Sequence, residues 1–360
     1  MEQAYYIGIM SGTSVDSVDV VLCRIDAQAC LLEASYAHPF PQALKEEIVE
    51  MIASSCTLSQ TGVLDHRLGL LFAEAVDRLL AQEGRRAEEI RAIGSHGQTL
   101  WHQPEGEYPF TMQLGDPTII AAHTGIPVVA DLRRMDMAYG GSGAPIAPAF
   151  HRFIFKNIEN GVAVVNIGGI ANITLLDDPV IGYDTGPGNM LMDAWCMKHL
   201  GKSYDRDGAW ASEGRVNYTL LERMLDDPYF AQKPPKSTGR EYFNMAWLHS
   251  LLNAQRSTLN ASDVQRTLLE LTTQSISNEV LRHYPDILML CGGGAKNSLL
   301  VERIAALMPN IEVGIMEHGD WIEAMMMAWM AYKRIEEEPV VLKDVTGARK
   351  DAVLGALYIA

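Results

Sequence analysis

The feature that most constrains this chain is a strand-rich opening that occurs twice, once at the start of each half. Each opening has three consecutive segments with the apolar pattern of β-strands and short connections between them. These segments are residues 5–10, 15–25 and 31–36 in the first half, and residues 162–167, 170–176 and 180–184 in the second. Because helices and further strands follow each opening, the repeat predicts an internally duplicated α/β protein whose ligand binds between the halves.

The elements after each opening are predicted from the spacing of apolar residues. Residues 61–82 carry one apolar stripe at helical spacing and end at Gly84, which predicts an amphipathic helix with a glycine stop. The further predicted helices are residues 117–123, 189–200, 262–284, 295–308 and 321–335, and the further strands are residues 90–94, 127–131, 287–291 and 311–315. The apolar pattern is interrupted at residues 155–161, where we place a domain boundary that gives domains 1–155 and 156–360.

Composition excludes several classes of partner. The net charge of -16 and the pI near 5.0 argue against nucleic acid or an anionic membrane, because both would be repelled. An anionic ligand would need backbone amides, a few arginines or a metal ion. The five cysteines show neither a C-x-x-C pair nor zinc-ligand spacing, and no apolar run approaches a membrane span, so we expect a reduced, cytoplasmic chain.

Three glycine-containing turns are candidate phosphate-binding sites. In the first opening, small residues from Ser11 to Ser17 let successive N–H groups point at one spot, although an ordinary hydrophilic hairpin would use the same residues. Gly168 and Gly169 occupy the equivalent turn of the second opening. A third cluster, "CGGGAKN", follows a buried strand and precedes a helix, where a nucleotide can meet a helix N-terminus. A tight strand-to-helix turn is the alternative for this cluster.

Familiar catalytic motifs do not fit. The "GKS" at residues 201–203 lacks the first glycine of a P-loop, and "DRDG" at residues 205–208 lacks the later ligands of a calcium loop. Neither a G-x-S-x-G elbow nor an H-E-x-x-H zinc helix occurs in the sequence.

Six stretches, taken in order, resemble one known family. They are "GIMSGTSVDSVDV", "GSHGQTLWHQP", "VNIGGIANIT", "YDTGPGNMLMDAW", "KSTGREYFN" and "CGGGAKNSLL". Together they are similar to the anhydro-N-acetylmuramic acid kinase family of the sugar kinase, Hsp70 and actin superfamily, over residues 5–357. The resemblance implies two RNase-H-like domains of the actin and hexokinase type, with ATP and Mg²⁺ in a central nucleotide cleft. It leaves open whether the last segment of domain 156–360 packs back on domain 1–155.

The resemblance also implies which residues bind ATP. The first phosphate loop would be Gly12, Thr13, Ser14, Val15, Asp16, Ser17, Val18 and Asp19. The second phosphate loop would be Gly168 and Gly169, and the adenosine motif would be Gly292, Gly293, Gly294 and Asn297.

The activity implied by the resemblance is a coupled one. Members open the 1,6-anhydro ring of 1,6-anhydro-N-acetylmuramic acid with water and phosphorylate O6 with ATP, giving N-acetylmuramic acid 6-phosphate in cell-wall recycling. A homodimer is implied as well. Two alternatives stay open, namely another small-molecule sugar kinase of the superfamily and a nonenzymatic ATP switch of the chaperone or actin type.

Four side chains are candidates for the chemistry. Asp184 matches the proposed base of the family, with a helix cap as the alternative, although Asn189 is better placed for that cap. Asp16 is the candidate Mg²⁺ ligand in the first phosphate loop. Arg133 is the candidate cation for the lactyl carboxylate of the substrate. Glu323 matches a glutamate that the family uses for the sugar, and favourable placement against a helix dipole is equally consistent.

The sequence alone assigns no role to two of the motifs. In "KSTGREYFN", Lys236 and Arg240 could contact phosphate or sugar, or Ser237 and Thr238 could cap a helix. In "GSHGQTLWHQP", the histidines are not spaced as a metal site, so a structural role or a sugar contact is expected.

Overall fold

The structure is a computed structural model that describes residues 3–12, 15–158, 161–177, 179–234, 236–253 and 259–360. The chain divides into two compact units. Unit 1 contains Met1–Ile154 together with Trp321–Ala360, and unit 2 contains Phe155–Asp320. The helix predicted at residues 321–335 therefore belongs to unit 1, although it follows all of unit 2 in the sequence.

The strands are named in chain order. They are β1 (Ala4–Ser11), β2 (Ser17–Ile25), β3 (Cys30–Pro39), β4 (Ile90–Ser95), β5 (Gln98–Gln103), β6 (Phe110–Leu114), β7 (Val128–Ala130), β8 (Val162–Ile167), β9 (Ile170–Leu175), β10 (Ile181–Pro187), β11 (Ile287–Cys291), β12 (Glu312–Ile315) and β13 (Ala356–Tyr358).

The α-helices follow the same convention. They are α1 (Gln42–Ala53), α2 (Leu58–Glu83), α3 (Pro117–Thr124), α4 (Arg134–Ala138), α5 (Ala147–Ile154), α6 (Met190–Leu200), α7 (Ala209–Glu213), α8 (Tyr218–Leu225), α9 (Met245–Asn253), α10 (Ala261–His283), α11 (Ser298–Leu307), α12 (Ile322–Ile335) and α13 (Lys343–Thr346). Among the described residues, no helix is both long and apolar enough to cross a bilayer.

The two sheets share one order of five strands, and the unit 1 sheet has a sixth strand, β13, at its edge. The unit 1 sheet runs β13-β7-β4-β1-β2-β3, and the unit 2 sheet runs β10-β9-β8-β11-β12. In both, three antiparallel strands form a meander, and the first of them pairs in parallel with the next strand of the sheet. Two α/β units of the RNase-H-like type are therefore present, which confirms the predicted fold class.

Unit 1 packs helices against both faces of its sheet. Alternate residues of β1 point to opposite faces, so Ile7 joins the core under α2 whereas Tyr6 joins the core under α12. Helix α12 approaches the sheet closely because Gly8 of β1 and Gly94 of β4 face it: a Cβ at either position would lie within 2 Å of a backbone carbonyl oxygen of α12. The methionines of this helix are buried, as expected for core packing.

Unit 2 is organised around α10. This helix is buried along most of its length and packs against β10, α6, α7, α8 and α11. It carries several buried polar side chains, including Glu270, Thr272 and Glu279. Buried polar groups need hydrogen-bond partners, so these side chains join α10 to neighbouring segments.

Two predicted element boundaries need correction, and several elements were not predicted. Strand β2 begins at Ser17 and not at residue 15, because Val15 has a φ of +53° that is incompatible with a strand. The helix predicted from residue 295 begins at Ser298, after a 3-10 turn at Gly293–Lys296. The elements that lie in segments for which none was predicted are β5, β6, β13, α1, α4, α5, α7, α8, α9 and α13.

Candidate active site

In unit 1, predicted site residues gather where parallel strands end. Strands β1, β4 and β7 run in parallel, so their carboxyl ends meet at one edge of the sheet. Strand β1 leads into the opening turn, β4 leads to His96, and β7 leads through Asp131 to Arg133. Ligands of open α/β sheets commonly bind at this edge.

The described part of the opening turn contains a strained residue, Val15. The N–H of Val15 donates to the carbonyl of Gly12 at 3.1 Å, and Val15 is fully buried with its φ of +53°. A β-branched residue rarely adopts a positive φ, and such strain concentrates at functional loops. Ser17 Oγ donates to Asp19 Oδ1 at 2.7 Å, and Val18 is buried in the core. The predicted ATP-binding residues Thr13 and Ser14 lie outside the described residues.

Asp16, the predicted Mg²⁺ ligand, forms an ion pair in this structure. Its Oδ1 lies 2.5 Å from Lys45 Nζ, and its side chain is 70% exposed. The described residues contain no group of three or more His, Cys, Asp or Glu side chains arranged to hold a metal ion. A metal ion at Asp16 would therefore take most of its ligands from groups other than a protein side-chain cluster, and it would displace the Lys45 ammonium from the Asp16 carboxylate.

Arg133 is fixed by His96 and by the backbone. Its Nε and Nη2 lie 3.0 and 2.8 Å from His96 Nε2, and its Nη1 donates to the Gly143 carbonyl at 2.7 Å. Because His96 Nδ1 donates to the Gly97 carbonyl at 2.8 Å, its Nε2 is free to accept from the guanidinium. Burial and the charge of Arg133 lower the pKa of His96 to about 3, so His96 stays neutral and keeps this acceptor.

Glu323 and Arg133, both predicted to bind substrate, interact electrostatically within unit 1. Surrounding protein atoms displace solvent and raise the pKa of Glu323, although its side chain keeps contact with water. The charge of Asp19 raises this pKa further, and the charge of Arg133 lowers it. Glu323 also lies in the first turn of α12, where the helix dipole favours a carboxylate. The sequence could not reveal this grouping, because all of unit 2 lies between Arg133 and α12 along the chain.

In unit 2, the turn with Gly168 and Gly169 rests on the start of α6. Their carbonyl groups accept from the N–H groups of Gly188, Asn189 and Met190 at 2.8–3.2 Å. A Cβ added at Gly168 or Gly169 would meet no atom closer than 3.4 Å, and neither residue has a positive φ. Packing does not require glycine at these two positions, so the bare backbone is available for a ligand.

The third glycine cluster combines packing glycines with one open position. Gly292 has a φ of +80°, and a Cβ there would lie 2.3 Å from Asn166 Oδ1. A Cβ at Gly294 would collide with Ile167, whereas one at Gly293 would meet no atom closer than 3.6 Å. Asn297 Oδ1 accepts from the N–H of Leu300 at 3.1 Å and thereby caps α11.

Asp184, the predicted base, is held at both backbone and side chain. Its N–H donates to the Lys236 carbonyl at 3.0 Å, and its carbonyl accepts from Tyr229 OH at 2.7 Å. Its Oδ2 accepts from Ser237 Oγ and from the N–H of Thr238, each at 2.9 Å. No described residue donates a hydrogen bond to Oδ1. Burial raises the pKa of Asp184, and the bonds from Thr238 and Ser237 partly offset this rise.

The structure corrects the alternatives considered for "KSTGREYFN". Ser237 and Thr238 do not cap a helix, because they hold the Asp184 carboxylate. Lys236 does not face a ligand, because its ammonium group is buried against Glu279 at 2.8 Å. Asn189 precedes α6 but makes no side-chain cap, and its Nδ2 donates to the Ile167 carbonyl instead. The motif itself was the only sequence sign that this segment belongs to the site.

Comparisons with known proteins identify the family of this chain. The family model for anhydro-N-acetylmuramic acid kinase matches residues 4–360. A curated anhydro-N-acetylmuramic acid kinase from Sulfurovum sp. (strain NBC37-1) is 62% identical over 359 residues, covering 100% of both chains. The crystal structure of the Acidaminococcus fermentans (R)-2-hydroxyglutaryl-CoA dehydratase component A superposes with a TM-score of 0.50 at 10% identity, covering 92% of this chain and 99% of that one, which supports the fold alone. The chain belongs to the anhydro-N-acetylmuramic acid kinase family.

Proposed function

We propose that the protein uses ATP and water to convert 1,6-anhydro-N-acetylmuramic acid into N-acetylmuramic acid 6-phosphate and ADP. Family membership supports the substrate and the reaction. The observation that carries the proposal is the Asp184 carboxylate, which has one oxygen fixed by two donors and the other without a donor among the described residues. This arrangement suits a base that takes a proton from water.

The proposed role of Asp184 is to take a proton from the water that attacks C1 of the sugar. The new bond joins this water oxygen to C1, and the bond between C1 and O6 breaks. O6 then receives the terminal phosphoryl group of ATP, and ADP leaves. The donors on Oδ2 orient the carboxylate, so Oδ1 is the oxygen that accepts the proton.

We propose that ATP is bound by the three glycine-containing turns. Gly168, Gly169 and Gly293 support this proposal, because the fold leaves room for side chains there and yet the chain has none. Asn297 keeps its amide Nδ2 for a ligand while its Oδ1 caps α11. The opening turn from Gly12 to Asp19 would contribute further backbone donors.

Mg²⁺ is the metal ion that we propose to accompany ATP. It prefers oxygen ligands and commonly takes only one or two carboxylates besides phosphates and waters, so the carboxylates of unit 1 fit it. Asp16 is the proposed ligand, and Asp19, whose charge acts on Glu323, is the other carboxylate of this loop. When bound, the ion would neutralise charge on the transferring phosphoryl group.

Arg133 is proposed to bind the lactyl carboxylate of the sugar. We expect Arg133→Leu to lower kcat/KM for the sugar by about 10- to 100-fold, because a hydrogen bond to a charged group contributes about 1.5–3 kcal/mol. Steady-state kinetics with each substrate varied in turn would measure this effect, and KM for ATP should stay unchanged. The matched control is Arg134→Leu, since Arg134 is 64% exposed and pairs only loosely with Asp131 at 3.3 Å. Equal effects of the two substitutions would contradict the role of Arg133.

The pH profile should report the ionisation of Asp184. A base acts in its ionised form, so a pKa raised above the ordinary 3.8 places the acid limb of kcat/KM above that pH. Ser237→Ala removes one bond that stabilises the ionised form, and the limb should therefore move to higher pH. A limb that moves to lower pH, or does not move, would argue that Ser237 has no such effect on the base.

The alternative function is that of another small-molecule sugar kinase, and a comparison of turnover with different sugars distinguishes it from the proposed function. ADP release should be fastest with 1,6-anhydro-N-acetylmuramic acid and much slower with intact N-acetylmuramic acid, glucose or N-acetylglucosamine. Faster turnover of an intact sugar would favour the alternative. Homodimer formation and a cytoplasmic location are further proposals based on the family.

A further inference from the structure

Glu279 is a buried carboxylate that contacts both segments around Asp184. Its Oε1 accepts from Lys236 Nζ at 2.8 Å, and its Oε2 accepts from Tyr183 OH at 3.1 Å. The Glu279 side chain is 3% exposed and that of Lys236 is 1% exposed. Arg282, one turn along α10, adds a more distant contact at 3.3 Å to Oε2.

Two of the partners of Glu279, Tyr183 and Lys236, are sequence neighbours of Asp184 and of the donors that hold its carboxylate. Tyr183 immediately precedes Asp184 in β10. Lys236 immediately precedes Ser237 and Thr238, which hold the Asp184 carboxylate, and the Lys236 carbonyl also accepts from the Asp184 N–H at 3.0 Å. Glu279 thus closes a ring of contacts that joins α10, β10 and the segment from Lys236 to Thr238.

Stability alone is a poor explanation for this ion pair. Removing a lysine and a glutamate from water costs about as much as their attraction returns, and apolar replacements of similar volume are often as stable. What a buried, hydrogen-bonded pair does provide is a defined geometry. The aromatic ring of Tyr229 adds to it, because the Lys236 ammonium lies 4.8 Å from the ring centroid while the Tyr229 hydroxyl donates to the Asp184 carbonyl.

We propose that Glu279 is a positioning residue for Asp184, acting through Lys236 and Tyr183. The proposal rests on the proposed function of Asp184 as the base. In this role Glu279 acts without touching the substrate. It fixes the distance between β10 and the two donors on the carboxylate, and a displacement of about 1 Å in such a site can cost about 100-fold in rate.

The test is the double variant Lys236→Gln/Glu279→Gln. The single Glu279→Gln change would leave the Lys236 charge buried without a counter-ion and risks unfolding, whereas two glutamines keep the volume and can bond to each other. We expect kcat to fall by about 10-fold or more, KM for ATP to stay unchanged, and the acid limb of kcat/KM to move to higher pH because the donors on Asp184 are loosened. The charged or titratable groups around this segment are Tyr183, Tyr229, Lys236, Glu279, Arg282 and His283.

Helix α10 offers a matched control. Glu270 is also 3% exposed and pairs with Arg303 through bonds of 3.0 and 3.1 Å, but it contacts nothing at Asp184. We expect Glu270→Gln to reduce thermal stability while kcat and the acid limb stay as in the parent protein.

A double-mutant cycle with Asp184→Asn distinguishes a failure of the positioning role of Glu279 from a failure of the proposed function of Asp184. If Asp184→Asn retains the reduced but measurable turnover expected of it, the paired substitution should cause no further loss in that background, because it acts through Asp184. An unchanged kcat in Lys236→Gln/Glu279→Gln, or an equal further loss in the Asp184→Asn background, would overturn the positioning role alone. Full turnover by Asp184→Asn would instead overturn the proposed function of Asp184.

Discussion

Replacement of Asp184 by asparagine is expected to lower kcat by at least about 100-fold, since a positioned general base contributes about 10²- to 10⁴-fold. Asparagine is almost isosteric and still accepts from Ser237 Oγ and the Thr238 N–H through its carbonyl oxygen. It cannot accept a proton from water. Because this substitution leaves the glycine turns unchanged, the Kd for ATP should stay within a factor of about 2, which isothermal titration calorimetry would measure.

The control for this substitution is Asp286→Asn. Asp286 precedes β11 and accepts from the Gly161 N–H at 3.0 Å, at the amino end of the same sheet. Asp184 lies at the opposite end of this sheet. Strand pairing places it beside Asn172, Asn172 beside Asn166, and Asn166 beside Cys291 at the carboxyl end of β11. We therefore expect Asp286→Asn to keep its turnover. Near-normal turnover of Asp184→Asn would remove Asp184 from the mechanism.

Gly8→Ala is expected to destabilise unit 1 strongly. A Cβ at Gly8 would lie 1.8 Å from the Ala324 carbonyl oxygen and 2.7 Å from the Ala328 nitrogen, both in the backbone of α12. A helix backbone cannot move as a side chain does, so α12 must shift away from β1 and lose contacts with the sheet. Overpacking typically costs about 1–3 kcal/mol, and we expect a loss at or above the upper end of this range.

Gly62→Ala is the matched control for Gly8→Ala. Gly62 lies inside α2, where a Cβ would meet nothing within 4 Å. Alanine favours a helix over glycine by about 0.5–1 kcal/mol, so this variant should be as stable as the parent or slightly more stable. Urea titration followed by circular dichroism would compare the two. An unchanged midpoint for Gly8→Ala would show that α12 does not pack on β1 in this way.

Local patterns were sufficient to predict most of the fold. The strands of both openings and the long helices α2, α10 and α12 follow from apolar spacing, and their observed bounds differ by a few residues from the predicted ones. Helix α1 was missed although Leu44, Ile48 and Met51 have helical spacing and are buried. Apolar spacing could not assign α12 to unit 1, because it shows which face is buried and not what covers it, and the family resemblance had left the place of this last segment open.

The candidate site residues were proposed from recognisable turns and from the family resemblance. Asp184 and the glycine turns could be proposed from the sequence, and they remain proposals for this chain. The donors on Asp184 come from residues 53 and 54 positions further along, and no periodicity links such distant groups. Lys236 resembles a phosphate ligand in the sequence, and only its burial against Glu279 reveals a different role.

The most direct test of the central claim is mass spectrometry of the sugar after incubation with ATP, Mg²⁺ and 1,6-anhydro-N-acetylmuramic acid in oxygen-18 water. The proposed mechanism predicts a product heavier by one phosphate group and one labelled water, with the oxygen-18 atom on C1 because the water attacks there. Phosphorylated sugar that retains its anhydro bridge, or a product without the label, would contradict coupled ring opening and phosphoryl transfer.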